Sequence, residues 1–382
     1  MGERDFSRGY GLGSRIRAAR KALGLRQADL SALTGFPTSH ISDIEREAIT
    51  PTIPTLRKLG EALKRPMGYF LQENDHGPRS LGMVIHRTSI GGQAAERFAQ
   101  LVEAKTGGDL RLRIYHCSTL GSAWEQIEAL IEGAIHMYID EPLSLEPYAE
   151  LAGPVFLPYF FHDREHYYRF LRSELFEQHI YQPLLERGLR LLNPASNWEC
   201  GSFEVLFAKE PVFRPQDLVG RKFRSYPSRA ATALRQALGA TPVVVEWTQC
   251  DQAFEQGLID TLLVPAAYFR SMQIHQLARY ATLLDYGYTL NLTIAVSEYE
   301  YLRLAPDIQN ALIEAACEAG EYCTELSRAQ TTLDLKQLFE QNGIPVIQPD
   351  RETWREQFTA AIRNICLAGL MKPEMYEQLQ SL

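Results

Sequence analysis

The chain has 382 residues, 45% hydrophobic and 23% charged, too long for one ordinary core and apolar enough to build two or three domains. No apolar run approaches the roughly 18 residues of a membrane helix, and the opening MGERDFSRGYGL mixes acids, bases and glycines where a secretory leader would be apolar, so a soluble, unexported, cytoplasmic chain is expected. The net charge of -8 is uneven: residues 1–70 carry 12 basic and 7 acidic side chains, the remainder 27 and 40, as in a head that meets phosphate on a body that does not.

In chain order, SRIRAARKAL (14–23) sets Ile16, Ala19 and Leu23 on one stripe of an amphipathic helix. A second helix opens at Gln27, with Ala28, Leu30 and Leu33 as its inner face, and stops at Gly35, which tolerates a left-handed backbone. Pro37 suits the first turn of a third helix, in which Ile41 and Ile44 face the core while Thr38, Ser39, His40 and Asp43 face outward. A fourth helix is predicted from Ile53 to Leu63, after the Thr50-Pro51-Thr52 break.

The run RQADLSALTGFPTSHISDIEREAITPTIPTLRKLGEAL resembles the helix-turn-helix of the lambda-repressor/Cro-like (XRE-type) family over its whole length. The resemblance implies that the third helix enters the major groove of operator DNA, offering Thr38, Ser39, His40 and Asp43 to bases, while Gln27 and Arg46 hold phosphates. Two positions depart from the pattern. Asp43 stands where a long amide or basic side chain is common, although a carboxylate accepts only from cytosine N4 and repels phosphate. Glu47 replaces the glycine that usually follows the third helix, which predicts a strained exit turn.

Residues 72–80, QENDHGPRS, read as a polar linker. From Leu81, β-like runs (LGMVIHR, LRLRIYH, IHMYID) alternate with helical stretches (AAERFAQLVEAK, SAWEQIEALIEG), and the alternation repeats through GRKFRSY, SRAATALRQALG, TPVVVE, TQCDQAFEQG and LIDTLLV. Alternating strands and crossover helices predict parallel α/β sheets, and two such units imply a ligand cleft between them.

The stretches STLGSAWEQIEALIEGAIHM, VFLPYFFHDREHYYRFL, RPQDLVGRKFRSYPSRAATALRQALGATPVVVEWTQCDQAFEQGLID and LAPDIQNALIEAACEAGEYC resemble the solute receptors (DctP-like) of tripartite ATP-independent periplasmic (TRAP) transporters, over about residues 81–365. The resemblance implies two lobes closing on an organic acid whose carboxylate is forked by the arginine of the K-x-R strand, here Arg224; the competing reading pairs Arg224 internally with Glu246 or Asp260. Where the family usually carries a second cleft arginine this chain has Phe203, and where it carries a polar run ending in Asn it has Thr261-Leu262-Leu263-Val264-Pro265. These exchanges make the expected cleft less polar and shift the expected ligand toward an aromatic or aliphatic monocarboxylate. Trp198, Tyr226, Trp247, Tyr268 and Tyr286 fall near cleft-lining stretches, although core is the more usual fate of an aromatic.

Other constellations carry less. His162 and His166 flank Asp163 and Glu165, but the order is not H-E-x-x-H, no third ligand is apparent, and Asp163 reads as the N-cap of the next helix. Gly91-Gly92 could present helix N–H groups to an anion. The six scattered cysteines form no C-x-x-C and read as reduced thiols, and there is no P-loop or Gly-x-Ser-x-Gly. No metal, cofactor or catalytic activity is expected. The expectation is a helix-turn-helix domain (1–71), a linker (72–80) and a two-lobed α/β periplasmic-binding-protein-like domain (81–382), acting as a homodimeric, ligand-responsive transcriptional regulator without membrane contact. The alternative is a TRAP-type receptor, transport accessory or enzyme that binds an organic acid.

Overall fold

The four head helices are α1 (Leu12–Ala22), α2 (Gln27–Thr34), α3 (Thr38–Glu45) and α4 (Ile53–Leu63) in a computed structural model that describes residues 11–65, 70, 79–83, 87–193, 197–200, 204–265, 276–285, 291–340 and 342–382. Ile16, Ala19, Leu30, Ile41, Ile44, Ile53, Leu56, Leu59 and Leu63 close one small core. The expected inner stripes are too wide: Leu23 is 43% and Leu33 59% exposed, and Ala28 also faces solvent. An eight-residue α2 turns barely two turns, so only Leu30 and Thr34 reach the core. Gly35 is left-handed at φ 72°, whereas Pro37 is the cap before α3 rather than a residue of its first turn. Glu47 does occupy the left-handed region at φ 61°, at a cost of about 1 kcal/mol that glycine would avoid. Thr52 caps α4 by accepting from the Thr55 N–H.

The body is two mixed sheets. The first has the order β2-β1-β3-β10-β4, from β1 (Arg79–Met83), β2 (Leu112–Tyr115), β3 (Met137–Asp140), β4 (Leu189–Leu191) and β10 (Thr293–Ser297). The second has the order β11-β9-β5-β8-β6-β7, from β5 (Glu204–Ala208), β6 (Lys222–Ser225), β7 (Thr241–Val244), β8 (Thr261–Pro265), β9 (Tyr280–Leu284) and β11 (Val346–Ile347). The sheets are not wholly parallel as the alternation predicts. Strand β10 runs antiparallel to β3 and β4, and β5 antiparallel to β8 and β9. The chain therefore leaves the first sheet after β4 and returns to it only at β10. Each lobe is completed by a strand entering from the other, a long-range pairing that local periodicity does not encode. Strand β1 already starts at Arg79, inside the stretch read as linker; residues 72–78 lie outside the described residues.

Helices α5 (Ile90–Lys105) and α6 (Ala123–Ile131) belong to the first lobe, and α7 (Arg164–Leu171) follows it; α8 (Arg229–Ala237) and α9 (Cys250–Glu255) belong to the second. Asp163 caps α7 by accepting from the His166 N–H, and the His166 ring bonds the Leu379 carbonyl oxygen. The 35-residue α10 (Pro306–Glu340) packs on α5 of one lobe and reaches β11 of the other. The head rests on the first lobe: the Ile53 N–H donates to the Leu120 carbonyl at 2.6 Å, Arg57 of α4 meets Glu132 just past α6 at 3.4 Å, and α4 packs on α6.

Candidate functional site: an interlobe cleft beside a helix-turn-helix

The lobes meet where β3 and β6 end, which is where a doubly wound sheet presents ligand-binding residues. At and past the end of β3 come Asp140, Glu141, Leu143 and Ser144; at and past the end of β6 come Arg224, Tyr226 and Ser228; past β7 come Glu246 and Trp247. Together with Trp124 these line a cavity of about 170 Å³. Local sequence places each side chain. Ser122 and Glu125 form a reciprocal capping box that starts α6 and sets Trp124, half exposed, on its first turn. Ser228 caps α8 by accepting from the Ala231 N–H. The Arg235 Nε donates to the Arg224 carbonyl at 2.8 Å and braces the strand end.

Arg224 is 2% exposed. Its Nε donates to the Val245 carbonyl at 3.1 Å, and its guanidinium lies 3.9 Å from the Tyr226 ring centroid and 5.6 Å from that of Trp247, a double cation–π contact. Its Nη1 is buried with no hydrogen-bond partner among the described residues. A buried guanidinium N–H without an acceptor is costly, and Arg224 lines the cleft. The Arg224 charge acts on Glu246, but no ion pair joins them among the described residues, and the Asp260 carboxylate accepts from the Thr261 hydroxyl.

The acids opposite are unusual. Burial pushes Asp140 up to about 6, against the hydrogen bond it accepts from the Tyr138 hydroxyl at 2.7 Å. Burial and then the neighbouring Asp140 charge push Glu141 up to about 7, against a hydrogen bond with Tyr226 and the Arg224 and Arg235 charges, and its Oε2 is buried without a hydrogen-bond partner among the described residues. Burial also raises Glu246, and it drives Glu204, in a small adjoining cavity with Glu141 and Arg235, well above the carboxylate range.

Of the residues expected at the cleft, Arg224, Tyr226 and Trp247 are brought together. Trp198 is not: it is fully buried against Phe98, donates Nε1–H to the Ala316 carbonyl, and packs so closely on Gly320 that a Cβ there would come 2.7 Å from its ring. Val264 is likewise fully buried, in the core of the second lobe, because β8 is covered on both faces. Phe203, Tyr268 and Tyr286 lie outside the described residues. Gly91 and Gly92 are buried inside the first turn of α5, where the Gly92 N–H is taken by Ser89, and offer nothing to the cleft. Trp124, Asp140 and Glu141 escape the sequence reading. Asp140-Glu141 directly after the apolar β3 is the signal that would have found them, since acids at the carboxyl end of a buried parallel strand face the crevice.

On the head, Thr38 and Ser39 are exposed and His40 and Asp43 half-buried along α3. Gln27 and Arg46, the pair expected to hold phosphates, are both engaged within the head. Gln27 Nε2 donates to Glu45 Oε2 at 2.8 Å, joining a buried Arg20–Glu45 ion pair that ties α1 to α3. Burial works to raise the Glu45 pKa, but the bonds from Arg20 and Gln27 prevail and hold it below the usual range. Arg46 Nη2 donates to Asp43 Oδ1. Among the described residues no His, Cys, Asp or Glu cluster could hold a metal ion, all six cysteines are free, and no helix is long and apolar enough to cross a membrane.

Residues 81–368 match the family model of the bacterial extracellular solute-binding proteins, family 7. The chain belongs to that family. Residues 16–70 match the helix-turn-helix model, so this solute-binding protein carries a DNA-reader fold at its head. It is 26% identical over 272 residues to the C4-dicarboxylate-binding periplasmic protein DctP of Rhodobacter capsulatus, covering 70% of this chain and 80% of that one. With the 2,3-diketo-L-gulonate-binding periplasmic protein YiaO of Escherichia coli it shares 25% over 273 residues, 71% and 81% of the two chains. A TRAP periplasmic solute-binding protein from Roseobacter denitrificans with bound L-galactonate superposes with TM-score 0.69 at 24% identity, covering 80% of this chain and 97% of that one. One from Sulfurospirillum deleyianum with bound succinate gives 0.69 at 21%, covering 80% and 98%. At these identities the structures establish the two-lobed fold.

Proposed function

We propose that this family-7 solute-binding protein is a cytoplasmic, homodimeric transcriptional regulator whose cleft binds a small organic acid and whose head binds operator DNA. Arg224 takes the ligand carboxylate through its unpartnered Nη1, with Tyr226 and Trp247 as walls. On the head, Thr38, Ser39, His40 and Asp43 face the bases, and Gln27 and Arg46 hold the backbone. The observation that carries the reading is helix α6. Its first turn supplies Ala123 and Trp124 to the cleft, while its far end and the preceding Leu120 hold α4 of the head. A ligand that draws the lobes together acts on the helix against which the reader is seated, which is the differential contact that ligand control requires. Homodimers are expected because helix-turn-helix readers commonly span two half-sites.

A second reading, a receptor that serves transport, is favoured by the names of the relatives, which are periplasmic binding proteins. The two separate in one experiment: fluorescence anisotropy of the full chain on its own upstream DNA, with and without a carboxylate that raises its melting temperature. Regulation predicts a change in DNA affinity of fivefold or more on adding that acid, lost in Arg224→Met while acid-free DNA binding persists. DNA binding indifferent to every acid that stabilises the protein refutes regulation; an Arg224→Met chain that keeps its acid response refutes the carboxylate contact.

A further inference from the structure

The cleft carries more acid than a carboxylate receptor needs. Asp140, Glu141 and Glu246 line the same cavity as Arg224, and Glu204 and Arg235 stand with Glu141 in the adjoining one. Counting both, among the described residues four carboxyl groups face two guanidinium groups, and Arg235 is already turned to the backbone carbonyls of Arg224 and Ala231. A simple carboxylate on Arg224 would add a fifth acid and leave the buried Glu141 Oε2 with no donor. Two buried atoms without a hydrogen-bond partner among the described residues, Arg224 Nη1 and Glu141 Oε2, sit on groups of opposite sign and instead describe a site for a ligand that carries both charges.

We propose, on the reading that Arg224 holds a carboxylate, that the ligand is a zwitterion of amino-acid size whose ammonium group donates to Glu141, with Asp140 and Glu246 completing its surroundings. The ammonium adds a cation to acids that share only the Arg224 and Arg235 charges, and Trp124, Tyr226 and Trp247 enclose its carbon skeleton. The raised carboxyl pKa values fit this arrangement, since burial outweighs the Arg224 and Arg235 charges that favour ionisation, and a further cation shifts that balance. Glu141 and Asp140 come from the first lobe and Arg224 from the second, so a ligand with both charges grips both lobes, whereas a plain acid grips one.

The test is a set of matched pairs bound to the full chain, followed by thermal shift and calorimetry: γ-aminobutyrate against butyrate, L-leucine against 4-methylpentanoate, L-phenylalanine against 3-phenylpropanoate and L-glutamate against glutarate, with succinate and L-galactonate as amine-free references. At least one amino member is expected to bind 30-fold or more tightly than its deaminated partner. Glu141→Gln reduces that discrimination at least tenfold without weakening the deaminated acid, Glu246→Gln moves it in the same direction, and Arg224→Met loses both members. If every amine-free acid equals or exceeds its partner, or no amino compound binds, the zwitterion is wrong; the carboxylate contact then stands if Arg224→Met abolishes acid binding and falls if it does not. Circular dichroism of each variant separates lost binding from lost folding.

Discussion

Arg46 and Asp43 sit three residues apart on α3, and their side chains pair at 2.5 Å in the open. An exposed pair contributes little stability, but on the proposed DNA-binding reading it matters because it neutralises the cation assigned to phosphate. Asp43→Ala is therefore expected to raise affinity for any duplex about three- to tenfold and to steepen the log-affinity against log-salt slope by about one, read by anisotropy at several salt concentrations. A drop confined to the natural operator would instead show that Asp43 accepts from a cytosine amine. At this scale Arg224 was legible in the sequence because the K-x-R strand sits in a distinctive run. Trp198 and Val264 were misjudged, since whether an aromatic or β-branched side chain points into a cleft or into a core depends on what packs behind it. For Trp198 that is Gly320 on a helix 122 residues away.

Helix α6 was legible too, from its Ser122–Glu125 capping box and apolar stripe, but nothing local reveals that it touches both the cleft and the head. Arg57 and Glu132 are each about half exposed and 3.4 Å apart, so the pair is worth at most about 1 kcal/mol. Reversing one charge, Arg57→Glu, should leave ligand affinity in isolated titrations unchanged and alter the ligand's effect on DNA binding by up to about fivefold. The double reversal Arg57→Glu/Glu132→Arg should restore it. A single reversal with full coupling would place signal transmission elsewhere, for instance through the Ile53–Leu120 backbone bond. The elements that sequence periodicity misses are those joined across the chain: β4, β5, β9 and β10 take their neighbours from the opposite half of the body, and no local pattern states which sheet they enter.

Across the whole molecule, closing the lobes gathers acids from both and makes the ligand-free protein sensitive to alkali. Glu141 is raised from 4.5 to about 7, so between those values the folded state keeps a proton that the unfolded chain has released. Its stability penalty is absent below about pH 4.5 and complete above about pH 7. Glu141→Gln should therefore stabilise the ligand-free chain by up to about 3 kcal/mol at pH 8 and by under about 1 kcal/mol at pH 5, read from urea midpoints. An equal effect at both values would mean that the fold does not raise the Glu141 pKa. His136, depressed to about 3 by burial and then by Arg79, works in the opposite sense, losing stability as pH falls below 6.5, but it is common to both variants and cancels.

The division between what the chain announces and what the fold decides follows from the range of the interactions. Helix starts, turn glycines, the helix-turn-helix and the Arg224 strand are set within about twenty residues by caps, backbone permissiveness and side-chain periodicity, and they were readable before any coordinates. The crossing strands, the seating of α4 on α6, the capture of Gln27 by Glu45 and the meeting of Asp140 and Glu141 with Arg224 join residues far apart in sequence. Charge balance in a buried cleft is a sum over all of them. It exists only once the two lobes have come together.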